Sequence, residues 1–265
     1  MSFQGTPCWY ELGTSDLDGA RDFYSRVLDW RITDSGMEGF DYRLAEGSNG
    51  AVAGMMSTSF QAGNPPPNWL IYFAVDDCDR SAASVRGAGG KICKDPADIP
   101  DVGRFAIVAD PQGAVFGLLQ PDMSRMSPED RAKVAAGEGA FDQRKAGHAH
   151  WNELMSSDPQ AGLAFYSSLF GWTKGDAMDM GDMGTYQFIR HRDDDIGAIM
   201  GLGDAPMPVW LPYFGAVRPV TETVEAIKSA GGRIHHGPAE VPGPLYIAVA
   251  QDPQGAWFGV VGAEQ

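Results

Sequence analysis

The chain has 265 residues, 43% hydrophobic and 11% aromatic, enough for one large globular domain or two of ordinary size and too apolar for a disordered chain. Its 35 acidic residues against 20 basic ones give a formal net charge of −15 with no Lys/Arg cluster, a field that repels phosphate backbones and excludes a nucleic-acid partner. No apolar run nears the roughly 18 residues that span a bilayer, and no basic-then-apolar signal opens the chain. The cysteines (Cys8, Cys78, Cys93) lack C-x-x-C spacing, so a reduced, cytoplasmic protein without a membrane partner is expected.

In chain order, a strand is expected over Trp9 to Gly13. An amphipathic helix comes after it, with Leu17, Ala20, Phe23, Tyr24, Val27 and Leu28 at helical spacing. Ser15, with Asp18 three residues on, gives it a capping-box-like start. Strand-like FDYRLAE and AVAGMMS come next, separated by a GSNG turn. The pattern then recurs: strand WLIYFAV, helix DCDRSAASVRGA stopped by Gly89-Gly90, and strands KICKDPADI, RFAIVAD and AVFGLLQ. This is β-α-β-β-β written twice. Residues 121–147 are richer in charge, and SPEDRAKVAAGEG within them reads as a short helix with Ser127 as N-cap, Pro128 at N1 and Gly137 at the stop. A linker packed on the surface is the expectation there; the alternative is a lid over a pocket.

Beyond the linker, the second half of the chain repeats the first. Trp9 answers to Trp151, Phe23 to Phe165 and Trp30 to Trp172 at one constant offset. NWLIYFAV answers to VWLPYFGAV, AGGKICKDPADIP to AGGRIHHGPAEVP, and ADPQGAVFGLLQ to QDPQGAWFGVVG. Four blocks in the same order make two homologous halves. The expected division is residues 1–122, a linker at 123–145, and 146–265, with the βαβββ unit present four times.

The helix pattern D-x-x-x-A-x-x-F-Y-x-x-x-L-x-W (Asp16 to Trp30), FAVDD, GAGGKI and the doubled DPQGA-x-F resemble the vicinal oxygen chelate superfamily. That family comprises glyoxalase I, bleomycin and fosfomycin resistance proteins, and extradiol dioxygenases; GTPCWYEL, HWNEL and PADIP bring the chain near its tandem two-half, glyoxalase-like members. The resemblance implies an α+β fold of paired βαβββ modules whose curved mixed sheets form cup-shaped pockets, one per half or shared between halves. It also implies where a metal would be held. The first-strand histidine position falls on Trp9 and Trp151, and the acidic one on Gly54 and Ala198. The second histidine falls on Leu70 and Leu211, and the last-strand glutamate on Gly117 and Gly259. None of these side chains coordinates a divalent cation, so no metal and no cofactor is expected. Gly117 has a plainer explanation as well, relief of crowding beside a bulky Trp9.

Among the histidines only His148 and His150 are spaced to share a metal after side-chain adjustment, an alternative that stays open. His148 and His150 share a strand face about 7 Å apart, but His150 alternates with Trp151 and so faces away from a pocket that Trp151 would line. His235 and His236 are adjacent and point opposite ways, and RDDD (192–195) reads as a solvated hairpin turn. The W-x-E-L motif is the better candidate. By alternation Glu11 shares a face with Trp9 and Glu153 with Trp151, while Leu70 and Tyr72, and likewise Leu211 and Tyr213, share faces of their own strands. Each half is thus expected to offer an aromatic-walled pocket with one carboxylate and one phenol, and an apolar setting raises a carboxylate's pKa toward a value suited to acid–base work.

Two functions remain open. One is a metal-independent enzyme of the lyase/isomerase or hydroxylase type, with Glu11 and Glu153 catalytic, Tyr72 and Tyr213 orienting donors, and Trp9, Leu70, Gly117, Trp151, Leu211 and Gly259 lining the ligand. The other is a protein that sequesters a planar cationic ligand without chemistry, as bleomycin-resistance relatives do. Either has a small-molecule partner. Two fused halves suit a monomer, and a homodimer stays open.

Overall fold

The βαβββ pattern is realised four times in the computed structural model, which describes residues 2–39, 41–61, 63–135 and 138–264. The first module is β1 (Pro7–Thr14), α1 (Leu17–Leu28), β2 (Arg31–Asp34), β3 (Tyr42–Gly47) and β4 (Gly50–Ser57). The second is β5 (Asn68–Ala74), α2 (Cys78–Gly87), β6 (Lys91–Ile99), β7 (Gly103–Ala109) and β8 (Val115–Pro121). After α3 (Pro128–Ala135) the third has β9 (Ala149–Ser156), α4 (Pro159–Phe170), β10 (Thr173–Asp179), β11 (Thr185–His191) and β12 (Asp194–Gly201). The fourth has β13 (Val209–Gly215), α5 (Val220–Ser229), β14 (Arg233–Val241), β15 (Leu245–Gln251) and β16 (Trp257–Gly262). None of the described helices is long and apolar enough to cross a membrane.

Helix starts are set by aspartates. The α1 cap is Asp16, not Ser15: its extended backbone brings its carboxylate to the amide of Gly19 at 3.0 Å. Asp77 and Asp158 do the same for α2 and α4, while α5 starts at Pro219 with no side-chain cap. The helix read after Ser127 is present as α3, with the Arg131 amide on the Ser127 carbonyl; its expected stop, Gly137, lies outside the described residues. The sequence pattern passed over β2, four residues that are mostly exposed and carry no apolar alternation.

The strands form two curved mixed sheets of eight, ordered β2-β3-β4-β1-β5-β8-β7-β6 and β10-β11-β12-β9-β13-β16-β15-β14. Within each module the first and last strands pair in parallel, β1 with β4 and β5 with β8, and the others are antiparallel. Equivalent pairs share one register: Glu11 sits opposite Gly54 and Glu153 opposite Ala198, Tyr72 opposite Gly117 and Tyr213 opposite Gly259.

Compactness divides the chain differently from the repeat. One unit, the β9–β12 unit, gathers Met1–Cys8, Ile71–Glu138 and Trp151–Trp210. The other, the β1–β4 unit, gathers Trp9–Leu70, Gly139–His150 and Leu211–Gln265. Each therefore takes modules from both halves. In the first, the Phe73 ring of one half packs on Trp172 and Trp210 of the other, with centroids 5.0 and 5.3 Å apart. In the second, Phe214 packs on Trp30 and Trp69, both at 5.0 Å. Each such ring buries about 150–250 Å².

The doubled DPQGA segment serves these cores. Asp110 Oδ1 accepts the amides of Gln112, Gly113 and Ala114, which closes the turn, and its Oδ2 accepts the Tyr166 phenol at 3.1 Å. Asp252 repeats this with Gln254, Gly255, Ala256 and Tyr24. Each aspartate of one half is thereby tied to the helix of the other half inside a single unit.

Candidate functional site

Alternation along β1 buries Tyr10 and Leu12 and leaves Trp9 and Glu11 half-buried on the other face. On β9, Trp151 and Glu153 take the matching places, Glu153 at 8% exposure. In the β1–β4 unit the Trp9 indole donates to the Tyr42 hydroxyl at 3.0 Å, and Tyr42 donates to Glu11 Oε2 at 3.1 Å. In the β9–β12 unit Trp151 donates to Tyr186 at 2.8 Å, and Tyr186 to Glu153 Oε2 at 2.7 Å.

The direction of these relays is fixed. An indole N–H can only donate, so the phenol oxygen accepts and its one proton points at the carboxylate. Burial, and then the charge of Glu11 or Glu153, holds both phenols well above the usual tyrosine pKa, so they stay protonated donors.

The same order of groups occurs twice more, sealed. Trp69 donates to Tyr24 at 2.9 Å and Tyr24 to Asp252; Trp210 donates to Tyr166 at 2.9 Å and Tyr166 to Asp110. Both aspartates are 3% exposed, with one oxygen engaged by three backbone amides. Burial pushes their carboxyl pKa values up. The Glu11 relay is half-buried along its length, whereas in the other Trp151 and Tyr186 are half-buried and Glu153 is buried. The Trp–Tyr–Asp relays are buried throughout and hold the cores.

Tyr42 and Tyr186 were missed by the sequence reading, although YRLA and YQFI hold corresponding places in the two repeats and could have flagged them. The residues that were read are distributed between the units. Trp9, Glu11, Leu70, Leu211, Tyr213 and Gly259 fall in the β1–β4 unit, and Tyr72, Gly117, Trp151 and Glu153 in the β9–β12 unit. Leu70, Tyr72, Leu211 and Tyr213 are all buried. The ring that needs the space at Gly117 is that of Tyr72, which an added Cβ would overlap; Tyr213 does the same at Gly259, and the Tyr42 phenol at Gly54.

A metal does not fit these residues. Trp, Leu, Ala and Gly offer no donor, and phenol rings occupy the volume into which a side chain at Gly54, Gly117 or Gly259 would grow. Among the described residues no group of three or more His, Cys, Asp or Glu could hold an ion. His148 Nδ1 donates to the Gly139 carbonyl at 2.6 Å and His150 Nε2 to that of Lys145 at 2.8 Å, so both rings tie down residues 139–147. Burial lowers the pKa of each. His235 lies against the Trp257 ring at 4.0 Å. Residues 192–193 form the turn between β11 and β12 that RDDD suggested, with Asp195 paired to Arg190 at 2.9 Å. A groove of about 730 Å³ in the β1–β4 unit is lined by Arg21, Asp34, Glu38, Asp41 and Arg43, and both arginines there are already ion-paired.

The chain matches the profile of the glyoxalase/bleomycin resistance protein/dioxygenase superfamily twice, over residues 8–118 and 147–260. It is 33% identical to the protein named "Putative glyoxylase CFP32" of Mycobacterium tuberculosis, over 97% of this chain and 95% of that one. It is 29% identical to the anthracycline biosynthesis protein DnrV of Streptomyces peucetius, over 97% and 93%. The Mn(II)-bound glyoxalase from Novosphingobium aromaticivorans has the same fold, with a TM-score of 0.65 at 17% identity over 100% of this chain and 84% of that one. The 2,3-dioxygenase LapB from Pseudomonas sp. KL28 also shares it, at 0.65 and 12% over 98% and 93%.

Proposed function

Because the chain belongs to the glyoxalase/bleomycin resistance protein/dioxygenase superfamily, we propose that it acts on a small carbonyl-bearing metabolite by proton transfer at Glu11 and Glu153, without a metal. The observation that carries this is the doubled Trp–Tyr–Glu relay on the matching strands β1 and β9. In each, a phenol donates its proton to the carboxylate. The indole beside it is a flat wall for a ligand. Glu would take a proton from carbon or oxygen of the bound metabolite and return it to a neighbouring atom. No step is routed through a metal, since the positions that hold one elsewhere in the family have no donor atoms here.

The anthracycline biosynthesis relatives favour a polycyclic aromatic carbonyl compound as the ligand class. Residues 1–122 and 146–265 would then be two family domains, joined by 123–145, with Tyr72 and Tyr213 as further donors. A second reading, ligand sequestration without turnover, is supported by the pairing of aromatic walls with carboxylates, which suits a planar cation.

Mass spectrometry of small molecules carried by the native protein supplies the ligand, and Glu153→Gln then separates the readings. An enzyme loses turnover and keeps most of its affinity. A sequestering protein has no turnover and loses affinity for cationic ligands. Unchanged affinity and turnover in both Glu11→Gln and Glu153→Gln, with loss of both in His150→Ala, would remove the relays from function.

A further inference from the structure

The two Trp–Tyr–Glu relays differ at one register position. β3 sets Leu44 opposite Gly54, and β11 sets Phe188 opposite Ala198. Gly54 and Ala198 are themselves the partners of Glu11 and Glu153, so Leu44 and Phe188 hold equivalent places beside equivalent acids. In the β9–β12 unit the Phe188 ring stands edge-on to Trp151, with centroids 5.3 Å apart at 80°, and edge-on to Tyr186 at 5.8 Å and 86°. One ring therefore steadies both donors of the Glu153 relay. Leu44 has no ring to offer Trp9 and Tyr42.

The opposite strand differs too. A Cβ on Gly54 would overlap the Tyr42 phenol, whereas Ala198 carries its Cβ, so Tyr186 cannot take the place over this strand that Tyr42 takes. Glu153 is buried beside its three rings, and Glu11 is half-buried.

Building on the small-molecule reading above, we propose that Phe188 is a specificity-determining residue. It makes the Trp151–Tyr186–Glu153 site the one that takes a flat, polycyclic aromatic carbonyl ligand, while the Leu44 site selects against such ligands. Phe188, set near a right angle to both Trp151 and Tyr186, gives a planar guest both a face and an edge to pack on, which is the geometry aromatic pairs prefer. A branched aliphatic side chain fills similar space without that orientation.

The test is a fluorescence titration of the full-length protein with a neutral dihydroxyanthraquinone, a planar polycyclic carbonyl probe that carries no cationic group. The unaltered protein is expected to bind one equivalent. Phe188→Leu weakens binding about ten-fold, the worth of one aromatic pair at the upper end of its range. It lowers the melting temperature by only a few degrees, about the loss of the two edge-on ring contacts, and leaves the protein folded. Phe188→Tyr keeps the ring and holds affinity within about three-fold, on the same scale, which separates a ring requirement from misfolding. Leu44→Phe gives the other relay a ring and adds a second, weaker equivalent. Binding that survives Phe188→Leu and Leu44→Phe unchanged in affinity and stoichiometry overturns this inference alone. Failure of the unaltered protein to bind at all overturns the aromatic-ligand reading and this inference with it.

Discussion

Trp210 and Trp151 each donate an indole N–H to a tyrosine that donates its O–H to a carboxylate, yet one relay is wholly buried and in the other the tryptophan and tyrosine are half-buried. The difference sets what a single hydroxyl is worth. Tyr166→Phe would orphan both the Trp210 N–H and an oxygen of Asp110 in a dry core, at about 1–3 kcal/mol for each group. Tyr186→Phe, in a half-buried setting, is expected to cost about 0.5–1.5 kcal/mol. Urea unfolding of the two variants ranks them, and the reverse order would show that burial does not set the worth of these hydroxyls. Gly117→Ala should destabilise by about 1–3 kcal/mol, because the methyl overlaps the Tyr72 ring. Combined with Tyr72→Leu, the loss should be smaller than the sum of the two single losses, since one change relieves the other. At this scale Trp9, Glu11, Trp151 and Glu153 were legible from alternation alone. Tyr42 and Tyr186 were not, because they reach the acids from another strand of the sheet.

Among the elements, β11, β9 and the segment just before β9 carry histidines that the fold keeps neutral. His191, bonded to Thr6 at 3.1 Å, has its pKa lowered to about 4 by burial and then by the Arg192 charge. His148 and His150 are lowered in the same direction by burial. A depressed folded pKa means that the unfolded chain takes up protons first. The stabilising contribution is therefore present above the unfolded value, about 6.5, and is lost as pH falls toward about 4 for His191. Asp110 and Asp252, raised by burial, act with the opposite sign, their contribution being complete below the ordinary carboxylate value and lost as pH rises through the raised one. The melting temperature should accordingly fall between pH values of about 6.5 and 4, and His191→Gln should flatten that slope. An unaltered slope would show that His191 does not titrate late. Element boundaries themselves were legible where apolar periodicity was strong, as in α1. They were lost at β2, where a short exposed strand exists only because β3 pairs with it.

For the whole molecule, the consequence of Asp110–Tyr166 and Asp252–Tyr24 is that neither compact unit is built from one half. Cleavage at a protease site engineered between residues 123 and 127 should leave two fragments that still elute together. Separation into free halves under native conditions would contradict the shared cores. The purified protein should also carry no stoichiometric transition metal by elemental analysis and should keep its ligand affinity in chelator, because non-coordinating residues stand at the family's ligand positions in both halves.

The duplication, the four modules and the family were all determined by the sequence itself, because each is a matter of which residues recur at which spacing. Four features were decided only by the tertiary structure: the phenol that orients each glutamate, the ring that empties Gly117, the half from which each core draws its partner, and the ring that sets Glu153 apart from Glu11. These depend on strand register and module pairing. Both are settled by contacts between residues far apart in the chain, and no local periodicity encodes them.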